Sequence, residues 1–285
     1  MTSERAAANS PIGVFDSGVG GLTILRELLR ELPDERYVYF GDTGNCPYGV
    51  RAEEEIQTLS VAAANFLLER GAKIIVVACN TASVSALATL RATFTTPFVG
   101  VVPAVKPAAE LTKVKRVGVA STEASAKGGY LQRLIHDHAN GVEVLPVGCP
   151  LLVTLAEEGK LDGAEVEETV RGYIQPLLDR GIDILVLGCT HFPAMRPVFE
   201  RVAGPEVAVI DSGAAIARQT RRVLTERGWL ASKGPAQETP RSLSSDDEFW
   251  HSGDQQQFER VASVLMGAPI AARRAPVAVM APVRP

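Results

Sequence analysis

Residues 69–83 read ERGAKIIVVACNTAS and residues 179–193 read DRGIDILVLGCTHFP. The two stretches align without a gap: an acid, Arg, Gly, a short apolar run, Cys, then polar residues. A short run rich in Val, Ile and Leu, bounded by glycine, reads as a buried strand. Gly71 and Gly181 stand where a preceding helix should stop, since glycine accepts the left-handed conformation that ends helices. Cys79 and Cys189 lie a domain's length apart, too far for a solenoid repeat, so the chain reads as two related α/β halves.

The same alternation extends outward from the repeat. Strands are expected at 12–15, 37–40, 73–78, 116–120, 142–145, 183–187 and 207–210, with helices near 22–32 and 53–70. Alternating strands and helices imply mainly parallel sheets with helices on both faces, that is, three-layer α/β/α domains. Breaks near 103–107 and 211–213 divide the chain into a discontinuous first domain, 11–104 plus 212–268, and a second domain, 105–211. The first is expected to be completed by C-terminal helices. Residues 1–10 and 269–285 are expected to be disordered tails, the latter rich in Ala, Pro and Arg without periodicity.

With 285 residues, 46% hydrophobic and 22% charged, the chain has the composition of a globular protein with room for two cores. A net charge of -4 with scattered Lys and Arg argues against nucleic acid as a partner. The polar start MTSERAAANS and the lack of a long apolar stretch argue against export and against a membrane partner, so a cytoplasmic location is expected. Four cysteines without C-x-x-C spacing are then expected to be free thiols.

Ligands of open α/β sheets bind beyond the carboxyl ends of the strands. The residues there are Asp16 and Ser17, Asp42, Cys79 with Asn80 and Thr81, and Cys189 with Thr190 and His191. Asn80 and Thr81 are suited to capping a helix whose N–H groups would favour a carboxylate ligand. Moving the α-proton of an amino acid from one face to the other takes one base and one acid, and two cysteines can fill those roles if each has a polar helper. His191 is the candidate helper of Cys189, and Asp16 that of Cys79. The scheme calls for no cofactor.

Other readings compete at single positions. A lone buried Cys is more often packing than chemistry; two at matched positions are not lone. Zinc held by Cys79, Cys189, His191 and Cys149 lacks the usual ligand spacing, so no metal is expected. Cys46 and Cys149 precede prolines and read as structural, His136 and His138 as solvated, and Asp42 as either a turn residue or part of the site. Gly18-Val19-Gly20 after the first strand imitates a dinucleotide fingerprint, but Thr23 replaces its third small residue and Asp16 would repel a pyrophosphate.

The blocks GVFDSGVGGLTIL, YFGDTGNCPYG, VVACNTAS, GVVPAVKPA, GCPLLVTLAEEG, LVLGCTHFP and VIDSGAAIARQT, in order from residue 13 to 220, resemble the signature blocks of the bacterial glutamate racemase family. The resemblance implies cofactor-independent interconversion of L- and D-glutamate for peptidoglycan, two pseudo-symmetric domains with the active site at their interface, and a homodimer. It implies Cys79 as the thiol for the D-enantiomer and Cys189 for the L-enantiomer, with Asp16 and His191 assisting. A glutamate of LAEEG is implied as well, Glu157 by register with Glu158 as the alternative. Ser17, Tyr48, Gly49, Asn80, Thr81 and Thr190 match substrate-holding positions, together with Asp16 and His191. Gly44-Asn45-Cys46 and the Ser125 region depart from the family pattern. Aspartate racemases, hydantoin racemases and malonate-type decarboxylases share this kind of fold, and a non-catalytic module binding an acidic metabolite is the competing class.

Overall fold

The computed structural model describes residues 8–232 and 243–276. In chain order the elements begin with β1 (Ile12–Asp16), α1 (Leu22–Glu31), β2 (Tyr37–Gly41), α2 (Glu53–Glu69), β3 (Ile74–Val77), α3 (Asn80–Thr93) and β4 (Phe98–Gly100). They continue with α4 (Val105–Leu111), β5 (Arg116–Ser121), α5 (Glu123–Lys127), α6 (Gly129–His138), β6 (Glu143–Gly148), α7 (Pro150–Glu157) and α8 (Ala164–Asp179). Next come β7 (Ile184–Leu187), α9 (Arg196–Ala203), β8 (Ala208–Ile210), α10 (Gly213–Glu226), β9 (Glu248–His251), α11 (Gln255–Met266) and β10 (Arg273–Arg274).

Two compact units result, one of residues up to Val101 with those from Gly213 onward, the other Val102–Ser212. The first holds a sheet of order β10-β9-β2-β1-β3-β4, the second a sheet of order β6-β5-β7-β8. Every strand pair is parallel among the described residues. The order β2-β1-β3-β4 is the order β6-β5-β7-β8 repeated, and the registers agree: Phe15 lies opposite Val77, and Ala120 opposite Leu187. The repeat seen in the sequence is thus a repeat of topology.

Alternation along the strands sorts side chains to two faces. In the second unit Leu185 and Leu187 pack with Leu152, Val170, Ile174 and Phe199 of α7, α8 and α9. Ile184 and Val186 point the other way and pack with Val105, Ala108 and Leu131 of α4 and α6. In the first unit Phe15, Phe40, Ile75 and Val77 pack against Leu59, Phe66, Ala82 and Leu90 of α2 and α3. Gly71 and Gly181 both take positive φ, 78° and 71°, and stop α2 and α8 as their place in the repeat requires.

The strand starts differ in charge at one matched position. Lys73 donates to Glu35 at 2.6 Å and to the carbonyls of Ala8 and Trp229 at 2.9 and 2.8 Å. Asp183 instead accepts from Thr112 Oγ1 at 2.5 Å and from the Lys113 and Val114 N–H groups at 2.6 and 3.2 Å. Each buried or half-buried charge is met by partners of its own unit, as low-dielectric surroundings demand.

Several expectations change. The C-terminal part of the first unit is not only helical, because β9 lies between α10 and α11 and pairs with β2. The three-residue β4 was also not foreseen. Residues 269–276, expected to be disordered, are tied down: Ile270 N–H donates to Ser263 Oγ at 2.9 Å, Ala272 N–H to Glu259 Oε1 at 2.8 Å and Ala275 N–H to the His251 carbonyl at 2.8 Å. Such anchoring by individual hydrogen bonds leaves no periodicity to read. Residues 8–10 are likewise held, through the Ala8 and Asn9 carbonyls. The remaining expected tails, 1–7 and 277–285, lie outside the described residues.

Candidate active site

The candidate residues fall into two groups, one in each unit. In the first unit β1 ends at Asp16, and β3 leads through Ala78 to Cys79, with Ala78 N–H bonded to the Phe15 carbonyl at 2.7 Å. Ser17 Oγ lies 3.4 Å from Cys79 Sγ and donates to Asp16 Oδ1 at 3.5 Å. A carboxylate, a hydroxyl and a thiol therefore form one buried row.

Cys79 itself is the N-cap of α3, its Sγ accepting from the Ala82 N–H at 3.4 Å. Asn80 and Thr81, expected as caps, instead occupy the first two helical positions, because the extended residue ahead of the helix is the cysteine. The helix start favours negative charge where Sγ sits, and the N–H groups of these two residues belong to the turn that anions prefer. Asn80 and Thr81 are both buried.

The glycine loop after β1 serves Asp16. Gly21 N–H donates to Asp16 Oδ2 at 2.6 Å, and a Cβ at Gly21 would stand 2.6 Å from the Asp16 Cβ. A side chain there would push the two apart, so the glycine permits the contact. The amide that a dinucleotide phosphate would use is committed to a carboxylate, which disposes of the fingerprint reading.

Tyr48 is buried in the turn Tyr48–Val50, with Gly49 half-buried beside it. The Tyr48 hydroxyl donates to Asp42 Oδ2 at 2.6 Å. Burial pushes this phenol well above its ordinary value, and the negative charges of Asp42, Cys79 and Asp16 push the same way, so Tyr48 stays protonated. Asp42 does not cap the short helix Thr43–Asn45 with its side chain; it accepts hydrogen bonds from the Tyr48 hydroxyl, the Asn45 amide and the Ser252 hydroxyl instead. Burial raises its pKa, opposed by hydrogen bonds from Ser252, Tyr48 and Asn45 and by the charge of Arg51.

In the second unit Gly188 N–H bonds to the Ala120 carbonyl at 2.7 Å, the counterpart of the Ala78 bond, and delivers Cys189 to the matching strand end. The residues at the end of β5 are Ser121 and Thr122, so no carboxylate stands where Asp16 stands in the first unit. The polar neighbours of Cys189 are a histidine and a glutamate. Cys189 Sγ lies 3.5 Å from His191 Nδ1, and His191 Nε2 lies 2.6 Å from Glu157 Oε1 at the end of α7. Thr190 and His191 are buried, and Glu157 is nearly so.

Burial alone would strip the proton from His191, but hydrogen bonds to Cys189 and Glu157 and their charges overcome it and hold the imidazole well above its ordinary value. The neighbouring Glu158 is exposed and paired with Lys160 at 3.1 Å. Of the two alternatives in LAEEG, it is Glu157 that reaches the histidine.

Cys149 is buried at the N-cap of α7, its thiol pushed up to about 12 by burial and by the charge of Cys189. Cys46 is half-buried in the loop that carries Tyr48, and His136 and His138 are exposed. Ser125 pairs with Thr122, its N–H bonding Oγ1 at 3.2 Å to cap α5. Ser252 was missed altogether, since the strand that precedes it was missed; a strand-end position is the signal that would have found it.

Residues 12–220 match the family model of Asp/Glu/hydantoin racemases. A curated glutamate racemase of Herpetosiphon aurantiacus is 47% identical over 90% of this chain and 98% of its own. The glutamate racemase isoform of Bacillus anthracis superposes with a TM-score of 0.82 at 32% identity, over 94% of this chain and 98% of that one. The glutamate racemase of Francisella tularensis, solved in complex with D-glutamate, gives 0.80 at 29% identity over 95% of this chain and 98% of that one. The two strand ends, each with a buried cysteine and polar neighbours, are therefore set in a fold shared along nearly the whole length of these enzymes, and the chain belongs to the Asp/Glu/hydantoin racemase family, with glutamate racemases as its relatives.

Proposed function

We propose that the chain interconverts L- and D-glutamate by passing the α-proton through two thiols, Cys79 and Cys189. The observation that carries this reading is the repeated strand end: each unit supplies one buried cysteine with a separate polar helper. Inversion at the α-carbon needs one group to remove the proton and another to deliver one to the opposite face, in complementary protonation states. Cys79 acts on D-glutamate and Cys189 on L-glutamate.

The helpers divide the work of charge. Asp16 and Ser17 adjust the proton on Cys79, while His191, kept protonated by Glu157, exchanges one with Cys189. Ser17, Asn80, Thr81 and Thr190 offer hydroxyl, amide and helix-start donors to the substrate's carboxylates, and Tyr48 and Gly49 close over it. Such fixed donors are what stabilise the carbanion in the absence of an electron sink.

D-glutamate formed in this way would supply peptidoglycan, in the cytoplasm and from a homodimer. Free cysteines fit a reducing compartment, and no described helix is long and apolar enough to cross a membrane. The test is direct. L-glutamate incubated with the protein in reducing buffer should lose its optical rotation, and L-aspartate should keep it. An unchanged rotation with glutamate over hours would favour a binding module, and equal rates on both amino acids would remove the substrate assignment.

A further inference from the structure

The loop that carries Tyr48 is clipped from a point remote in sequence. Asp42 is buried at the end of β2, and its Oδ1 accepts from Ser252 Oγ at 2.6 Å and from Asn45 Nδ2 at 3.0 Å. Its Oδ2 accepts from the Tyr48 hydroxyl at 2.6 Å and from the same Asn45 amide at 3.2 Å. Ser252, just past β9, accepts from the Gly44 N–H at 2.8 Å, and its own N–H donates to the Gly41 carbonyl at 3.2 Å. Gly253 N–H adds a bond to Thr43 Oγ1 at 3.1 Å.

The proton count fixes the direction of these bonds. Ser252 Oγ receives the Gly44 hydrogen and so gives its own to Asp42, and the single phenolic proton of Tyr48 is likewise spent on Asp42. A carboxylate is acceptor-only, and a buried one left short of donors is costly, so each of these donors is held firmly. The C-terminal strand thereby dictates the shape of residues 42–50.

We infer that Asp42 and Ser252 are positioning residues for substrate binding, holding the Tyr48–Gly49 turn in the form that receives an anionic group of the substrate. This rests on the reading of Tyr48 and Gly49 as substrate-holding residues. Neither Asp42 nor Ser252 handles the α-proton, so their effect belongs to KM and not to kcat. The matched position in the second unit is Cys149, whose N–H bonds the Ser121 carbonyl at 2.9 Å as that of Asp42 bonds the Asp16 carbonyl at 2.9 Å. No carboxylate occupies that place, so the clip is a device of the first unit.

The full chain is compared with Ser252→Ala, Ser252→Thr and Tyr48→Phe by kinetics in both directions and by amide hydrogen exchange of residues 42–51. Ser252→Ala is expected to raise KM for both enantiomers roughly tenfold while kcat stays within about twofold. Exchange in the loop should speed up without change in β1 or β3. Ser252→Thr, which keeps the hydroxyl, should restore both readings, and Tyr48→Phe, which leaves β9 untouched, should repeat the loosening. Loop exchange indifferent to Ser252→Ala, or a loss confined to kcat, overturns the inference while racemisation by the parent chain stands. A parent chain with a protected loop and no racemisation instead overturns the parent reading and takes the substrate role of this loop with it.

Discussion

The two cysteine sites are built on one frame and finished differently. In each unit a parallel strand pair ends with the same amide-to-carbonyl bond, Ala78 to Phe15 and Gly188 to Ala120, both 2.7 Å, and a cysteine follows. Beyond that bond the chemistry parts. Cys79 caps a helix and meets Ser17, which in turn donates to Asp16, whereas Cys189 precedes a short turn and meets a histidine backed by Glu157. The lesson is that the repeat conserves where a thiol is delivered, and the loops decide what charge surrounds it. A racemase needs that asymmetry little in its thermodynamics, since its substrate and product are mirror images, but it can use it to poise one thiol as acid while the other is base.

The comparison breaks most completely if either cysteine is dispensable. Cys79→Ala and Cys189→Ala should each lower kcat roughly 10³-fold or more in both directions, with unchanged circular dichroism. Wild-type turnover by either variant would remove that half from the chemistry.

Removing the helpers sharpens it. Asp16→Asn and His191→Asn should each cost about 10²-fold in kcat/KM, equally in both directions because the enantiomers are equal in free energy. Their difference lies in the isotope effect of α-deuterated substrate. Asp16→Asn should raise it for D-glutamate, where Cys79 takes the deuteron, and His191→Asn for L-glutamate. The same pattern in both variants would show that the helpers do not serve separate thiols.

A smaller difference lies in stability against pH. His191 keeps its proton in the folded chain above the value near 6.5 of an unfolded histidine, so its contribution is complete below about pH 6.5 and is lost as pH rises through the folded value. The stability gap between wild type and His191→Asn, from urea unfolding, should therefore be wider at pH 6 than at pH 9. A gap that widens with pH would contradict the protonated imidazole.

The smallest effect is expected at Cys149, which stands in the second unit where Asp42 stands in the first. Cys149 stays a thiol at neutral pH, packed in the core with its Sγ donating to the Val147 carbonyl at 3.8 Å. Cys149→Ala should cost about 1 kcal/mol of stability and leave kcat unchanged within about twofold. A loss of turnover there would give the second unit a third chemical group.

What the sequence revealed follows physical range. The repeat, the strand ends and the two thiols were legible because a buried parallel strand is written in consecutive apolar residues. β4 and β9 were not: the first is three residues long, and the second, EFWH, has no run of aliphatic residues to mark it as a strand. Residues 269–276 were misread because single hydrogen bonds to Ser263, Glu259 and His251 anchor them. The choice between Glu157 and Glu158 depended on one step around a helix, which the resemblance to a family could rank and only side-chain geometry could place. Ser252 and Asp42 are remote in sequence, and no local pattern announces a hydrogen bond between them.

The central claim is that one thiol removes the α-proton and a different one returns another. It is tested most directly by following the α-hydrogen of L-glutamate in deuterated water during the first few per cent of conversion. The two-thiol account predicts D-glutamate carrying deuterium at the α-carbon from the outset, while the remaining L-glutamate is still protiated. D-glutamate that retains the original proton, or L-glutamate that exchanges faster than product forms, would contradict it.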